Sequence, residues 1–259
     1  MTDIVKTEAI VLKSMKYGET SKIVTFYTKE YGKIKGIVKG ARKAKSKYGS
    51  ALETFSYVQF VMYKKENRSL HLVSQCDLLK TCKTLTTNLD KLAIGLKVVE
   101  LVDKISHDEE RNTKMFKLIL EVFDALEKQT ENLQNIFCNF EVKLIELLGY
   151  QLSFDRCGIC KKDIFELDNF SLTIVFDSSK GSPICSNCRN SAIYPVNLSV
   201  QNCKILDKFE TSKDFTSIGN IVLSTQCSNQ IRKFLFEYLR YHISELKDLK
   251  SEKIFNQII

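Results

Sequence analysis

The sequence predicts an α+β protein, an N-terminal five-stranded OB-fold barrel followed by a helical bundle with an inserted four-cysteine module. Three observations lead to that expectation. The hydrophobic period lengthens from two to between three and four near residue 90, two Cys-x-x-Cys pairs interrupt the helical part, and positive charge is confined to the first third of the chain. With 259 residues, 44% of them hydrophobic, the chain can bury a sizeable core and is long enough for two domains, or two and a small module.

Short β-branched and aromatic runs dominate residues 1–80, the expected barrel domain. Ile10–Leu12, Ile23–Tyr27, Ile34–Val38, Tyr57–Tyr63 and Leu70–Val73 are separated by turn signals such as Tyr17-Gly18-Glu19 and Tyr31-Gly32-Lys33. Five strands of this size suggest a small closed barrel. Alternation puts Lys33, Lys35 and Lys39 on one face of the third strand, read as wet and basic, with Ile34 and Val38 on the buried face.

Residues 81–150 read as the first part of a helical domain. Phe116, Ile119, Leu120, Phe123 and Leu126 form one stripe. Leu133, Ile136, Phe137, Phe140, Leu144, Leu147 and Leu148 form a second, closed by Gly149 as a C-terminal cap. A late stripe over Ile231, Leu235, Tyr238, Leu239, His242 and Leu246 places residues 196–259 in the same bundle. Residues 151–195 are the cysteine module, which holds both prolines, Pro183 and Pro195. No Pro-rich or Gly/Ser-rich linker separates these parts, so docked parts are expected.

Cys157-x-x-Cys160 and Cys185-x-x-Cys188, which bound a long gap, are the strongest local signal. Two residues between cysteines let both thiolates turn onto one ion, and two such knuckles complete a tetrahedral sulfur shell. A structural zinc ion is the expected occupant, since four thiolates leave no open coordination position; two disulfides or free thiols are the alternatives. A hairpin over Leu172–Phe176 and the Ser178–Gly181 turn would absorb the long gap. Cys76, Cys82, Cys138, Cys203 and Cys227 lie singly and are expected to be small buried hydrophobes.

Residues 1–80 hold 16 Lys and Arg against 7 Asp and Glu, and the rest of the chain holds 23 against 24, so the net +8 belongs to the first domain. Lys33, Lys35, Lys39, Arg42, Lys43, Lys45 and Lys47 crowd one short stretch, with no acidic residue between Tyr31 and Leu52. On a barrel rim such density neutralises several phosphates and binds nucleic acid with little sequence preference. Tyr17, Tyr27, Tyr31 and Tyr48 are interleaved with it and could stack bases, although any one of them taken singly is better read as packing into or capping the barrel. A solubilising lysine surface is the plainer alternative.

Phosphate-loop, dinucleotide and nucleophile-elbow motifs are absent, so neither a nucleotide cofactor nor enzymatic activity is expected. His107-Asp108-Glu109 with Cys185-x-x-Cys188 is a poor deaminase pattern that leaves Cys157 and Cys160 without a role; it reads as part of a solvated charged stretch, Ser106–Arg111. The start of the chain has no apolar run of signal-peptide length, and no segment has that of a membrane span. An odd count of nine cysteines suits a reducing compartment, so a cytoplasmic, nucleoid-associated protein without a membrane partner is expected.

Taken in succession, Ala9–Leu12, Tyr17-Gly18-Glu19, Ile23-Val24-Thr25, Tyr31–Ile34 and Val38–Lys47 resemble the start of the bacterial RecO family. The likeness continues at Phe140–Tyr150 and at Gly181–Cys188. Leu152 departs from it where a proline is common, as does Ser179-Lys180-Gly181 in place of a glycine-rich turn. The resemblance implies a recombination mediator of DNA repair that binds single- and double-stranded DNA and anneals complementary strands. It further implies loading of the recombinase onto DNA coated with single-strand-binding protein, with RecR and the acidic C-terminal tail of that binding protein as partners. By position, Gly32–Lys47, with Tyr17 and Tyr31 beside it, would contact DNA, and the four cysteines would hold zinc. A zinc-ribbon nucleic-acid-binding factor of transcription or translation is the competing reading.

Overall fold

The computed structural model describes residues 2–65, 68–150, 152–167 and 173–247. They form two compact units, the first within residues 2–128 and the second within 129–247. The division falls between two helices that the sequence reading groups in one segment, 81–150.

In the first unit, β1 (Thr2–Tyr17), β2 (Ser21–Thr28), β3 (Gly32–Val38), β4 (Tyr57–Lys65) and β5 (Leu70–Lys80) close into a barrel in the order β1-β2-β3-β5-β4. Closure depends on β1, which is 16 residues long where the sequence suggests a short run. Its first half pairs with β4 and its second with β2, and a bulge between Val11 and Lys13 bends it from one partner to the other. The seam between β3 and β5 is the one parallel pairing in the ring. The interior is filled by Val11, Val24, Phe26, Ile34, Val38, Phe60 and Met62, and the Phe26 and Phe60 rings stack at 4.5 Å. Truncating either ring would cost about 3–5 kcal/mol, so these residues anchor the scaffold on which the exterior side chains stand.

After the barrel come α1 (Lys83–Thr87), α2 (Leu89–Ile105) and α3 (Thr113–Lys128). Asn88 caps α2 by accepting the Lys91 N–H, and Glu127 of α3 accepts from the Thr84 hydroxyl and the Leu85 N–H. The expected α3 stripe is buried at Phe116, Ile119, Phe123 and Leu126, with Leu120 half-buried. The connection from α2 to α3 lies along β3. The Glu109 N–H donates to the Lys33 carbonyl at 2.8 Å, and Gly32 (φ +63°) sits so close that an added Cβ would lie 1.9 Å from the Glu110 carbonyl oxygen. Gly32→Ala should therefore destabilise this unit by roughly 2–4 kcal/mol in urea unfolding, combining left-handed backbone strain with a backbone clash. An unchanged midpoint would mean that the connection does not rest on the strand.

The second unit is built around α4 (Leu133–Leu147), which is buried almost all round. Its end is fixed by Gly149 (φ +85°): the Gly149 N–H donates to the Glu146 carbonyl and the Tyr150 N–H to that of Ile145, a Schellman closure. The short α5 (Ile164–Leu167) precedes a three-stranded sheet, β6 (Thr173–Asp177), β7 (Ser182–Ile184) and β8 (Pro195–Ser199), in the order β7-β6-β8. Leu172, the expected start of the hairpin, lies outside the described residues, and β8 is additional to the expected elements. Helices α6 (Val200–Thr211), α7 (Phe215–Gly219) and α8 (Thr225–His242) pack against α4. The late stripe is buried at Ile231, Leu235, Tyr238 and Leu239, and Leu246 is buried in the following 3-10 turn. Among the described residues, no helix is long and apolar enough to cross a membrane.

Candidate functional site

Two neighbourhoods concentrate chemistry, one in each unit. In the second, the chain from Cys157 to Cys160 turns tightly, with Lys161 at φ +63° and its N–H donating to the Cys157 carbonyl at 2.9 Å. The Cys188 N–H likewise closes the second knuckle on the Cys185 carbonyl at 3.0 Å. The β6–β7 hairpin spans the gap between the knuckles, and the Gly158 N–H donates to the Pro183 carbonyl at 2.8 Å, binding the first knuckle to β7.

The four sulfur atoms lie within 4.8 Å of one another, and the Cys160 and Cys185 sulfurs are 3.8 Å apart. A tetrahedral ion with Zn–S bonds of about 2.3 Å needs sulfur–sulfur edges of about 3.8 Å, so the set is spaced to hold a metal ion. Cys157 and Cys185 are buried, Cys188 half-buried and Cys160 exposed, and none of the four is paired in a disulfide. Burial raises the Cys157 pKa, but donation from the Cys185, Cys160 and Ile159 N–H groups outweighs it and brings the thiol down to about 6. The Cys188 thiol is pushed up to about 12, first by its hydrogen bond with Cys185 and then by burial. Opposite shifts at Cys157 and Cys188 reflect thiols crowded together, and a divalent cation would relieve the negative charge of such a set.

Asp177, fully buried at the end of β6, ties the β6–β7 turn to the segment that leads from the second knuckle into β8. Its carboxylate accepts from the Ser179 N–H and hydroxyl, the Ile193 N–H at 2.8 Å and the Tyr194 N–H at 3.3 Å. Burial alone would raise its pKa, but these donors hold it below the ordinary value. Sequence reasoning missed this residue; the Asp-Ser-Ser-Lys-Gly run, an Asx-turn pattern, carried the signal. Four of the five solitary cysteines are buried, whereas Cys82, expected to be buried, is half-exposed at the start of α1.

In the first unit the basic residues divide into two groups. Lys33 is not on a wet face: it is 9% exposed, donates to the Asp103 carbonyl at 2.6 Å, and lies 3.5 Å from the carboxylates of Asp103 and Asp108. Lys35 is paired with Asp108 at 3.2 Å. Burial pushes the Asp108 pKa up, but the hydrogen bond from Lys35 and the charges of Lys33 and Lys35 outweigh it and lower it. The expectation of a continuous basic face on β3 is thus corrected, because Asp103 in the last turn of α2 and Asp108 in the α2–α3 connection bring their carboxylates onto that strand. Asp108 and Glu109, read as solvated, are both engaged: Asp108 by the β3 lysines, and the Glu109 carboxylate by Lys64 of β4 at 2.6 Å and His71 of β5 at 2.9 Å.

Lys39, Arg42, Lys43, Lys45 and Lys47 form the second group, all exposed or half-exposed on the turns after β3. Arg42 donates to the Gly18 carbonyl at 2.9 Å, and its N–H to the Thr20 carbonyl, tying this segment to the β1–β2 turn beside Tyr17, which is 51% exposed. Lys47 donates to the Ser74 carbonyl at 3.0 Å. Of the other tyrosines, Tyr31 is half-buried beneath the Lys64 ammonium, while Tyr27 and Tyr48 are buried. The fold therefore gathers five cations and one exposed ring at one end of the barrel, and separates Lys33 and Lys35 from them.

The family model described as "Recombination protein O N terminal" matches residues 1–82, and that described as "Recombination protein O C terminal" matches residues 86–253. The chain is 30% identical to a DNA repair protein RecO of Chloroherpeton thalassium over 98% of each chain. It is 31% identical to that of Pelotomaculum thermopropionicum over 95% of this chain and 91% of the relative, and 27% identical to that of a Thermoanaerobacter species over 98% of each. Family models for both ends and relatives that align along nearly the whole length lead to one conclusion: the chain belongs to the RecO family of DNA repair proteins.

Proposed function

We propose that this chain is a DNA-binding recombination mediator that holds the backbones of single- and double-stranded DNA on the basic end of its barrel and anneals complementary strands. The observation that carries this reading is the Lys39–Lys47 segment at the surface, rich in cations and without a carboxylate of its own. Cations that contact phosphate and not base edges bind either strand, and neutralising both lowers the repulsion between them as they meet. The pairing order β1-β2-β3-β5-β4 supports reading the barrel as an OB-fold.

Cys157, Cys160, Cys185 and Cys188 would hold zinc. A fully thiolate-coordinated ion supplies folding energy and no reactive position, so its role is structural and we assign no catalytic step. Membership of the family supports extending the reading to loading of the recombinase onto DNA coated with single-strand-binding protein, together with RecR and the acidic tail of that binding protein, in the cytoplasm. The test is annealing: substoichiometric protein should speed pairing of complementary oligonucleotides at least about tenfold at low salt. Binding without faster annealing would favour a zinc-ribbon factor of transcription or translation instead.

A further inference from the structure

A second feature of the barrel lies apart from most of the Lys39–Lys47 rim, on the outward face of β3, β5 and β4. A groove of about 530 Å3 is lined there by Ile37, Tyr63, Leu70 and Leu72, with Lys39, Lys65 and Arg68 around it. Its volume falls within the range of roughly 300–1,000 Å3 common to small-ligand sites. The register explains its floor. Leu72 pairs directly with Ile37 on one side and Tyr63 on the other, so three outward side chains form one row across three strands, about 10 Å wide. Tyr63 is 37% exposed, and Ile37, Leu70 and Leu72 are half-buried.

The cations bracket that row. Lys65 ends β4 and Arg68 precedes β5, so both stand towards Leu70, whereas Lys39 follows Val38, whose partner is Val73, and stands towards the opposite end. Lys39, Lys65 and Arg68 form no ion pair with any described residue, in contrast to Lys33, Lys35 and Lys64. An extended peptide could not join this surface as a further strand, because all three strands are paired on both sides in a closed barrel. What fits an apolar, ring-bearing floor between separated cations is a flat ring joined to phosphates on either side.

We propose that this groove is a base-stacking subsite for single-stranded nucleic acid, with a nucleobase against the Tyr63 ring over Leu72 and Ile37 and the flanking phosphates at Lys39 on one side and Lys65 and Arg68 on the other. The inference rests on the DNA-binding reading above and deepens it. The Lys39–Lys47 rim binds any backbone, while the groove favours unpaired bases, because bases within a duplex do not offer a free face. Lys39 belongs to both.

The chain contains no tryptophan, so Tyr63→Trp in the full-length protein places a single reporter in the groove. Titration with a labelled thymidine 15-mer, followed at once by anisotropy and by tryptophan emission, should show quenching that saturates together with binding. An abasic phosphodeoxyribose strand of equal length should bind more weakly and leave the emission unquenched. Tyr63→Ala should weaken binding of the thymidine strand by about 5- to 100-fold, the range for loss of one stacked base, and leave duplex affinity within about twofold. Arg68→Ala should weaken it too, with emission of the Tyr63→Trp protein as a check on groove occupancy.

Undiminished strand binding with unmoved emission, or equal losses for single strand and duplex in Tyr63→Ala, would overturn the subsite while leaving DNA binding intact. Quenching by an acidic apolar peptide, and not by the oligonucleotide, would overturn it in favour of a protein partner. Absence of any strand binding by the unaltered protein at low salt would overturn both this inference and the reading on which it rests.

Discussion

Combined Lys39→Glu, Lys43→Glu and Lys45→Glu should lower affinity for a single-stranded oligonucleotide by more than about 100-fold at moderate salt, while the melting temperature moves by no more than about 2 °C. The three side chains stand on turns and hold no other element in place among the described residues, unlike Arg42, which donates to the Gly18 carbonyl. Removing three phosphate contacts should also flatten the dependence of log affinity on log salt by about 2, at roughly 0.7 per contact on a single strand. Lys33→Gln and Lys35→Gln should behave differently. Lys33 is buried against Asp103 and Asp108, and Lys35 is engaged by Asp108, so these changes should affect stability more than affinity. Binding assays beside thermal melts separate the two groups; equal loss of affinity from both would mean that the acidic connection leaves β3 when DNA binds.

Cys157→Ser should remove the metal ion and destabilise the second unit together. Cys157 is fully buried and its sulfur accepts the Cys185 N–H at 3.5 Å, so the first knuckle loses both a metal ligand and a contact with the second. With a structural ion the binding energy is folding energy, and an expected loss of at least about 3 kcal/mol corresponds to a fall in melting temperature of about 10 °C for a unit of this size. Metal content by atomic emission should fall from one zinc per chain to near zero, and chelation of the unaltered protein should reproduce the thermal effect. A variant free of metal but melting as before would refute the structural role.

The parts legible in the sequence are those fixed by local pattern. The two Cys-x-x-Cys knuckles meet because each is a single tight turn, and only the hairpin between them has to close the distance. Gly149 is readable as a helix end because the left-handed position after α4 favours glycine. The barrel is readable from its short apolar runs, but the 16-residue span of β1 is not, since its bulge between Val11 and Lys13 breaks the alternation that marks a strand.

The lysines of β3 illustrate a different limit. Alternation correctly separates Lys33 and Lys35 from Ile34 and Val38, yet it does not tell which outward residues a later segment will cover. Asp103, Asp108 and Glu109 lie far downstream in the chain, and their pairing with Lys33, Lys35 and Lys64 is a product of tertiary structure. The strand β8 escapes sequence reading for a related reason. Val196 and Leu198 do alternate, but over a run too short to stand out without its partner β6.

The central claim, that the basic end of the barrel is a DNA-binding surface, is tested most directly by measuring binding of a labelled single-stranded oligonucleotide across a series of salt concentrations. The account expects tight binding at low salt and a slope of log affinity on log salt of about −3 to −4, the release expected for five phosphate contacts. Absence of binding at low salt, or an affinity indifferent to salt, would contradict it and leave the Lys39–Lys47 segment as a solvated surface.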